Sequence, residues 1–232
     1  MKKQFLCVAF LLFAVSCSKQ GFFREDPEAP MTYTETRSMS EATEALVGYL
    51  REHHPDIVKT LNPPTEPLAL DQLERMVGRK LPQDFRVLYL SMNGQKPEGL
   101  PALLNGYELL SLEDIEINWK RMKTAHANRV DFLTKGASDG PVRAFWWYPM
   151  WIPFAKTAYG DYYCLDLFPA RAGKIGQIIE YRQDNVLRRH LGYSLNDFIG
   201  DYEKGLRSGK YYWDSEDRKS TRLNSSHRLT SR

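Results

Sequence analysis

The stretch PLALDQLERMVGRKLPQDFRVLYLSMNGQ, residues 67–95, limits the possible folds more than any other part of the chain. Apolar residues recur in it every three or four positions, which is typical of two amphipathic helices. Gly78 favours the end of the first helix, and Pro82 favours the first position of the second, where its missing N–H is tolerated. The predicted apolar faces are Leu70, Leu73, Met76 and Val77, then Phe85, Leu88, Tyr89 and Met92. We therefore expect a helical hairpin that ends at Asn93-Gly94.

Another helix is predicted before this hairpin. Ser38 and Glu41 form a Ser-x-x-Glu capping box, and apolar residues follow at helical spacing until Pro55. His53 and His54 lie at the end of that helix, where a cation interacts well with the helix dipole. A capping role is therefore a simpler interpretation of these two histidines than metal binding.

The second half of the chain predicts strands. Residues 145–155, FWWYPMWIPFA, have the aromatic and mostly uncharged composition of a buried strand. Residues 173–181 predict a further strand, with the sheet edge beyond Arg182, and residues 124–141 predict an insertion loop. Helices first, strands next and a capped helix last indicate an α+β fold. We expect N-terminal helices packed on an antiparallel or mixed β-sheet meander, closed by a C-terminal helix.

The two ends of the chain carry its excess of positive charge. The sequence has 32 Lys and Arg against 29 Asp and Glu, a net charge of +3. Seven of the cations lie in residues 1–16 and 218–232, which contain no acid, so residues 17–217 have a net charge of −4. This negative charge argues against a nucleic-acid partner. It is compatible with a protein partner, including a basic one.

Residues 1–16 are predicted to be a lipoprotein signal peptide. Lys2 and Lys3 precede an apolar run that is too short to span a bilayer, which needs about 20 residues. The small residues before Cys17 resemble the lipobox of bacterial lipoproteins, in which the cysteine is lipidated. Ala14 departs from the preferred leucine, so ordinary cleavage and an uncleaved anchor remain alternatives. Residues 17–37 lack periodicity and predict a flexible tether.

Residues 214–232 are predicted to be a disordered tail. Its last fifteen residues, RKSTRLNSSHRLTSR, contain no aromatic residue and only two leucines, so they offer little to pack against a core. The string STRLNSSH resembles translated adaptor or vector sequence, and we therefore predict that the tail is foreign to the native protein. A native basic arm for nucleic acid or anionic lipid is the alternative.

Signatures of catalytic and cofactor sites are absent from the sequence. It contains no G-x-S-x-G, H-E-x-x-H, P-loop, G-x-G-x-x-G or C-x-x-C motif. We expect no cofactor, no bound metal and no enzymatic activity. Cys164 is predicted to be a buried, inert thiol. Asp161, Asp166 and Glu180 leave a hydrolase as an alternative, because paired carboxylates can cleave glycosidic bonds.

Aromatic residues cluster just before and within the predicted strands. In a strand, Trp147 and Trp151 face one side and Trp146 and Tyr148 the other, provided that Pro149 introduces no bulge. One set belongs to the core, and the other is either covered by helices or exposed to a partner. Exposed Trp and Tyr are typical anchors of protein interfaces. The candidate protein-binding residues are Trp147, Trp151, Tyr162 and Asp166.

Several motifs, taken in their order, resemble the SUKH superfamily, which is named partly for the yeast cell-wall-assembly regulators. They are LP.DF..LY..MNG from residue 81, LLSLEDI from 109, WIPFA from 151, G.YYCLDL from 160, GKIGQIIEY from 173 and SLNDFIGDY from 194. The resemblance covers about residues 61–206 and implies a SUKH-like α+β domain over residues 38–213. Phe168 departs from the family, whose members often carry an acid in LDLDP, so a binding surface shaped by that acid would differ here.

The resemblance implies a non-enzymatic protein-binding domain. Bacterial members are largely immunity proteins that block toxins by direct contact, and fungal members act as signalling and cell-wall regulators. Together with Cys17, this predicts an immunity protein held by its lipid in a bacterial cell envelope, facing the periplasm or the exterior, with a toxin or an envelope protein as its partner. A secreted or periplasmic soluble protein is the alternative location, and a cell-wall-assembly scaffold is the alternative function.

Overall fold

The computed structural model describes residues 38–97, 102–127, 137–138, 140–214 and 219–222. Its helices are α1 (Met39–His53), α2 (Pro55–Val58), α3 (Pro67–Val77), α4 (Gln83–Ser91), α5 (Leu112–His126) and α6 (Leu195–Arg207). Its strands are β1 (Glu108–Leu109), β2 (Ala137–Ser138), β3 (Trp151–Lys156), β4 (Tyr162–Asp166), β5 (Gln177–Tyr181), β6 (Leu187–Gly192), β7 (Tyr211–Asp214) and β8 (Lys219–Arg222). The predicted signal peptide (1–16), tether (17–37) and lipid site at Cys17 lie outside the described residues and stay predictions.

Six strands form one sheet in the order β1-β3-β4-β5-β6-β2. Neighbouring strands in it are antiparallel, except that β2 runs parallel to β6. Helices α1 to α5 precede the main strands β3 to β6 in sequence, and α6 follows these strands. The predicted α+β fold, with a mixed meander closed by a C-terminal helix, is confirmed.

The helical hairpin of α3 and α4 is also confirmed, and a buried carboxylate stabilises its turn. Gly78 ends α3 with a φ of 77°, while Pro82 is the N-cap of α4 rather than its first residue. Burial alone would raise the pKa of Glu74, but the hydrogen bonds that it accepts lower that pKa overall. Their donors are Lys80 Nζ at 2.6 Å, Leu81 N at 3.1 Å and Arg86 Nη1 at 2.9 Å.

Two of the strand predictions are wrong. β3 begins at Trp151, whose N–H donates to the carbonyl of Tyr148 at 2.9 Å, so the turn around Pro149 keeps the preceding residues out of the sheet. The sheet also continues beyond Arg182, because β6 pairs with β5 and places Arg189 opposite Glu180. The sequence of β6, LRRHLG, is too charged to resemble a strand of a buried sheet.

Both faces of the sheet are covered at its centre. Tyr163 packs edge-on against Phe198 of α6, with 5.2 Å between the ring centroids. Tyr162 points to the other face, where its hydroxyl donates to Asn118 Oδ1 of α5 at 3.0 Å. Because successive side chains point to opposite faces, all five residues of β4 are buried.

The C-terminal strands β7 and β8 form a separate two-stranded sheet, in which Tyr211 lies opposite Arg222. β8 falls within the tail predicted to be disordered, so that expectation does not hold for Lys219–Arg222. The domain limits of 38–213 and the non-native origin of residues 214–232 stay predictions.

Candidate protein-binding surface

The four residues predicted to bind protein lie in the core. Trp151 and Asp166 have no exposed surface, and Trp147 and Tyr162 are 1% and 6% exposed. Trp151 lies opposite Asp166 in the register of β3 and β4, whereas Trp147 stacks on His126 of α5 with ring centroids 5.5 Å apart. A buried side chain has almost no surface to lose in a complex. These four residues therefore belong to the buried set, and any part they have in binding stays a prediction.

Asp166 fixes the segment that follows β4 and the one that precedes β3. Its Oδ1 accepts a hydrogen bond from Phe168 N at 2.8 Å, and its Oδ2 accepts one from Gln177 Nε2 at 2.8 Å. The same Gln177 nitrogen donates to the carbonyl of Pro141 at 3.0 Å. Burial raises the pKa of Asp166 to about 6, although these hydrogen bonds act in the opposite direction. The group is therefore a buried structural junction.

The three carboxylates considered for a hydrolase do not come together. Asp161 and Asp166 lie at opposite ends of β4, about 16 Å apart at the usual rise per residue of a strand. Glu180 lies opposite Tyr163 and thus on the other face of the sheet from Asp166. Its carboxylate accepts a hydrogen bond from the Tyr107 hydroxyl at 2.8 Å. This arrangement gives no support to acid–base catalysis by a carboxylate pair.

Half-buried aromatic side chains next to Asp166 form a surface that we call the aromatic patch, defined by Arg143, Phe145, Tyr148 and Phe168. Tyr148 stacks between the two phenylalanines, with centroid distances of 4.9 Å to Phe145 and 5.1 Å to Phe168. The guanidinium of Arg143 lies 4.0 Å from the centroid of Phe168, and its Nε donates to the carbonyl of Pro169 at 2.9 Å. The patch thus combines three packed rings with one cation.

A buried arginine supports the patch from behind. Arg188 has no exposed surface, and its Nε donates to the carbonyl of Trp146 at 2.8 Å. Its Nη1 donates to the carbonyl of Arg182 at 3.3 Å, and its guanidinium lies 4.4 Å from the ring centroid of Tyr181. Burial lowers the pKa of Arg188. The residue therefore ties the segment that carries the patch to the turn between β5 and β6.

The sequence does not indicate the patch as a surface. It singles out Tyr148 as one of the clustered aromatic residues and Phe168 as a departure from the family pattern, but it gives no signal for Arg143 or for the buried Arg188. Burial raises the pKa of Tyr148, while the nearby positive charges of Arg143 and Arg79 oppose that rise. Arg79 belongs to the helical hairpin and is far from the patch residues in sequence, so no local sequence signal connects it with the patch.

Other kinds of site find little support in the described part of the chain. Its residues include no group of three or more His, Cys, Asp or Glu side chains that would hold a metal ion. Cys164 is buried, and burial raises the pKa of its thiol, as the prediction of an inert cysteine requires. None of the described helices is both long enough and apolar enough to cross a bilayer.

The fold and the patch together define a class of protein: an α+β domain with aromatic and cationic side chains that meet on its surface. The chain belongs to the SMI1 / KNR4 family (SUKH-1), whose family model matches residues 64–201. It is 32% identical over 161 residues to the "Cell wall biosynthesis/cell cycle regulator smi1" of Schizosaccharomyces pombe, covering 64% of this chain and 32% of that protein. Two further relatives are fungal.

The first of these is the "Glucan synthesis regulatory protein" of Neurospora crassa, 22% identical over 213 residues, with 77% of this chain and 40% of that protein covered. The second is the "Cell wall assembly regulator SMI1" of Saccharomyces cerevisiae, 20% identical over 221 residues, with 78% of this chain and 44% of that protein covered. The chain therefore spans less than half of the length of each of these relatives.

The predicted location in a bacterial cell envelope is wrong. The relatives are eukaryotic proteins of fungi, and their names refer to cell-wall biosynthesis, glucan synthesis and cell-wall assembly. The prediction depended on the lipobox-like residues before Cys17, a short and degenerate pattern, whereas the comparisons extend over most of the chain.

Proposed function

We propose that the chain is a non-enzymatic protein-binding domain that acts in the regulation of cell-wall assembly, with the aromatic patch as its contact surface. The composition of the patch carries this proposal: Tyr148 lies between two phenylalanines, beside the guanidinium of Arg143. Aromatic residues and arginine are enriched at the positions that dominate binding energy in protein interfaces.

The support beneath the patch favours the same function. The backbone N–H of Phe168 donates a hydrogen bond to the carboxylate of Asp166, and the carbonyl of Trp146 accepts one from Arg188. A surface that is rigid before binding loses less conformational entropy when a partner docks, so more of the contact energy appears as affinity. The names of the fungal relatives support a regulatory rather than a catalytic role.

Binding is tested by placing the photo-reactive residue p-benzoylphenylalanine at position 148 of the full chain and irradiating it in an extract of the organism that encodes it. Tyr159 precedes β4, at the end of the strand opposite to Asp166, and is 80% exposed. The same replacement at Tyr159 is therefore a matched control. We expect a protein to be captured at position 148 and not at 159. The capture should disappear when Arg143→Ala is added.

The identity of the captured protein separates the two candidate functions. A protein of cell-wall synthesis supports the regulatory role. A toxin would support the immunity role that the SUKH resemblance implies, because the same rigid patch suits occlusion of a toxin by direct contact. Capture of the same proteins at both positions, or of none at position 148, would contradict a contact surface at the aromatic patch.

A further inference from the structure

We propose that the aromatic patch continues into a neighbouring pocket and that the two together bind an acidic segment of a partner protein. The inference rests on the proposed function and adds the chemistry of the partner. The pocket, which we call the arginine pocket, has a volume of about 440 Å³ and lies at the end of α3. Its lining residues are Asp71, Glu74, Arg75, Gly78, Arg79 and Lys80.

The acids of the arginine pocket are already engaged. Arg86 Nη1 lies 3.0 Å from Asp71 Oδ1 and 2.9 Å from Glu74 Oε1, while Lys80 Nζ lies 2.6 Å from Glu74 Oε2. Arg75 and Arg79 are exposed, and among the described residues neither forms an ion pair with an acid. The pocket therefore presents two arginines whose positive charge is not neutralised within the described chain.

The arginine pocket and the aromatic patch are neighbours in space. The turn that joins α3 and α4 packs against the segment before β5, so closely that a Cβ atom on Gly176 would come within 2.7 Å of Pro82 Cγ. Arg79, at the start of that turn, acts electrostatically on the hydroxyl of Tyr148. The positive charges of Arg79 and Arg143 therefore both act on Tyr148, the central ring of the patch.

Charge complementarity decides the occupant. An exposed guanidinium binds a carboxylate through two parallel hydrogen bonds, and packed aromatic rings near it take apolar or aromatic side chains. A segment that alternates acidic residues with aromatic or apolar ones satisfies both parts of the surface. A basic segment would meet repulsion at Arg75, Arg79 and Arg143, so this face favours an acidic segment even though the net charge of residues 17–217 favours a basic partner.

The test uses the full chain and two fluorescently labelled random copolymers, one of glutamate and tyrosine and one of lysine and tyrosine. Arg79→Glu is compared with Arg51→Glu, since both arginines are exposed and lie at or just beyond the last turn of a helix. Both changes alter the net charge equally and place an acid near a helix C-terminus. The basic residues at the chain ends are unchanged in both variants. Their non-specific attraction for the acidic copolymer therefore affects both affinities equally.

We expect the glutamate–tyrosine copolymer to bind in low salt, more weakly at high salt, with at least about a fivefold loss of affinity in Arg79→Glu and less than about twofold in Arg51→Glu. Equal losses in the two variants, or equal affinity for the lysine–tyrosine copolymer, would overturn the proposal. So would binding of phosphatidylserine vesicles in place of the copolymer, or dimerisation of the chain that Arg79→Glu abolishes in sedimentation. A partner captured at position 148 through a non-acidic segment overturns this inference alone and leaves the proposed function standing.

Discussion

Gln177 Nε2 lies 2.8 Å from Asp166 Oδ2 and also donates to the carbonyl of Pro141 at 3.0 Å. One amide group therefore connects β5, the end of β4 and the chain entering the aromatic patch. The junction leaves no room for a side chain at Gly173, where a Cβ atom would lie 2.7 Å from Gln177 Oε1 and 2.4 Å from the carbonyl oxygen of Pro141. The aromatic patch is thus supported by a polar core.

The buried carboxyl of this junction makes stability depend on pH. The pKa of Asp166 is about 6 in the folded chain against 3.8 for an ordinary aspartate, so the folded state holds its proton more tightly than the unfolded state. Its contribution is greatest below pH 3.8 and disappears as the pH rises through about 6. Asp166→Asn removes the carboxyl and, with it, this pH-dependent contribution to stability.

The difference in free energy of unfolding, wild type minus Asp166→Asn, should therefore fall by about 2 kcal/mol between pH 4 and pH 7. Urea denaturation at a series of pH values measures it. Asp201→Asn, on the exposed face of α6, is the control and should leave the pH profile unchanged. Parallel profiles for wild type and Asp166→Asn would show that this carboxyl does not titrate differently on folding.

Gly94 has a second role besides ending the hairpin. Its φ is 72°, and a Cβ atom would lie 2.4 Å from both the carbonyl carbon of Leu110 and the nitrogen of Ser111. We expect Gly94→Ala to lower the free energy of unfolding by more than about 3 kcal/mol, because two backbone segments would have to separate. Gly48→Ala is the matched control, since Gly48 lies within α1 with no atom near its Cβ position. That change should instead stabilise the chain by about 0.5–1 kcal/mol, as thermal unfolding would reveal.

Glu74 is the acid on which the helical hairpin depends. Glu74→Ala leaves Arg86 with a weaker partner and the N–H of Leu81 without its acceptor, so we expect a loss of about 3 kcal/mol at neutral pH. Asp71→Ala removes the more exposed acid of the same network and should lose no more than about 1 kcal/mol. Chemical denaturation of both variants compares them directly. Equal losses would mean that burial of Glu74 contributes nothing.

Local signals explain which elements were predictable. The capping box of Ser38 and Glu41 and the left-handed Gly78 specify helix ends through neighbours in sequence, and the structure has both. The aromatic patch has no such signal, because Arg143 precedes β3, Phe168 follows β4, and the pairing of these two strands brings the residues together. Burial of Arg188 was equally hidden, since its acceptors are backbone carbonyls that any sequence would supply.

Arg188 and its neighbour Arg189 allow the support beneath the patch to be tested. Arg188→Met keeps much of the side-chain volume but leaves the carbonyl of Trp146 without its donor, so we expect a loss of about 2–3 kcal/mol. Arg189 is 58% exposed in its side chain and lies 3.7 Å from Glu180, so Arg189→Met should lose less than about 1 kcal/mol. Denaturation followed by tryptophan fluorescence measures both. If Arg188 also positions the patch, Arg188→Met, unlike Arg189→Met, lowers photo-capture at position 148 under conditions where both variants remain folded. Undiminished capture in Arg188→Met would restrict Arg188 to a role in stability.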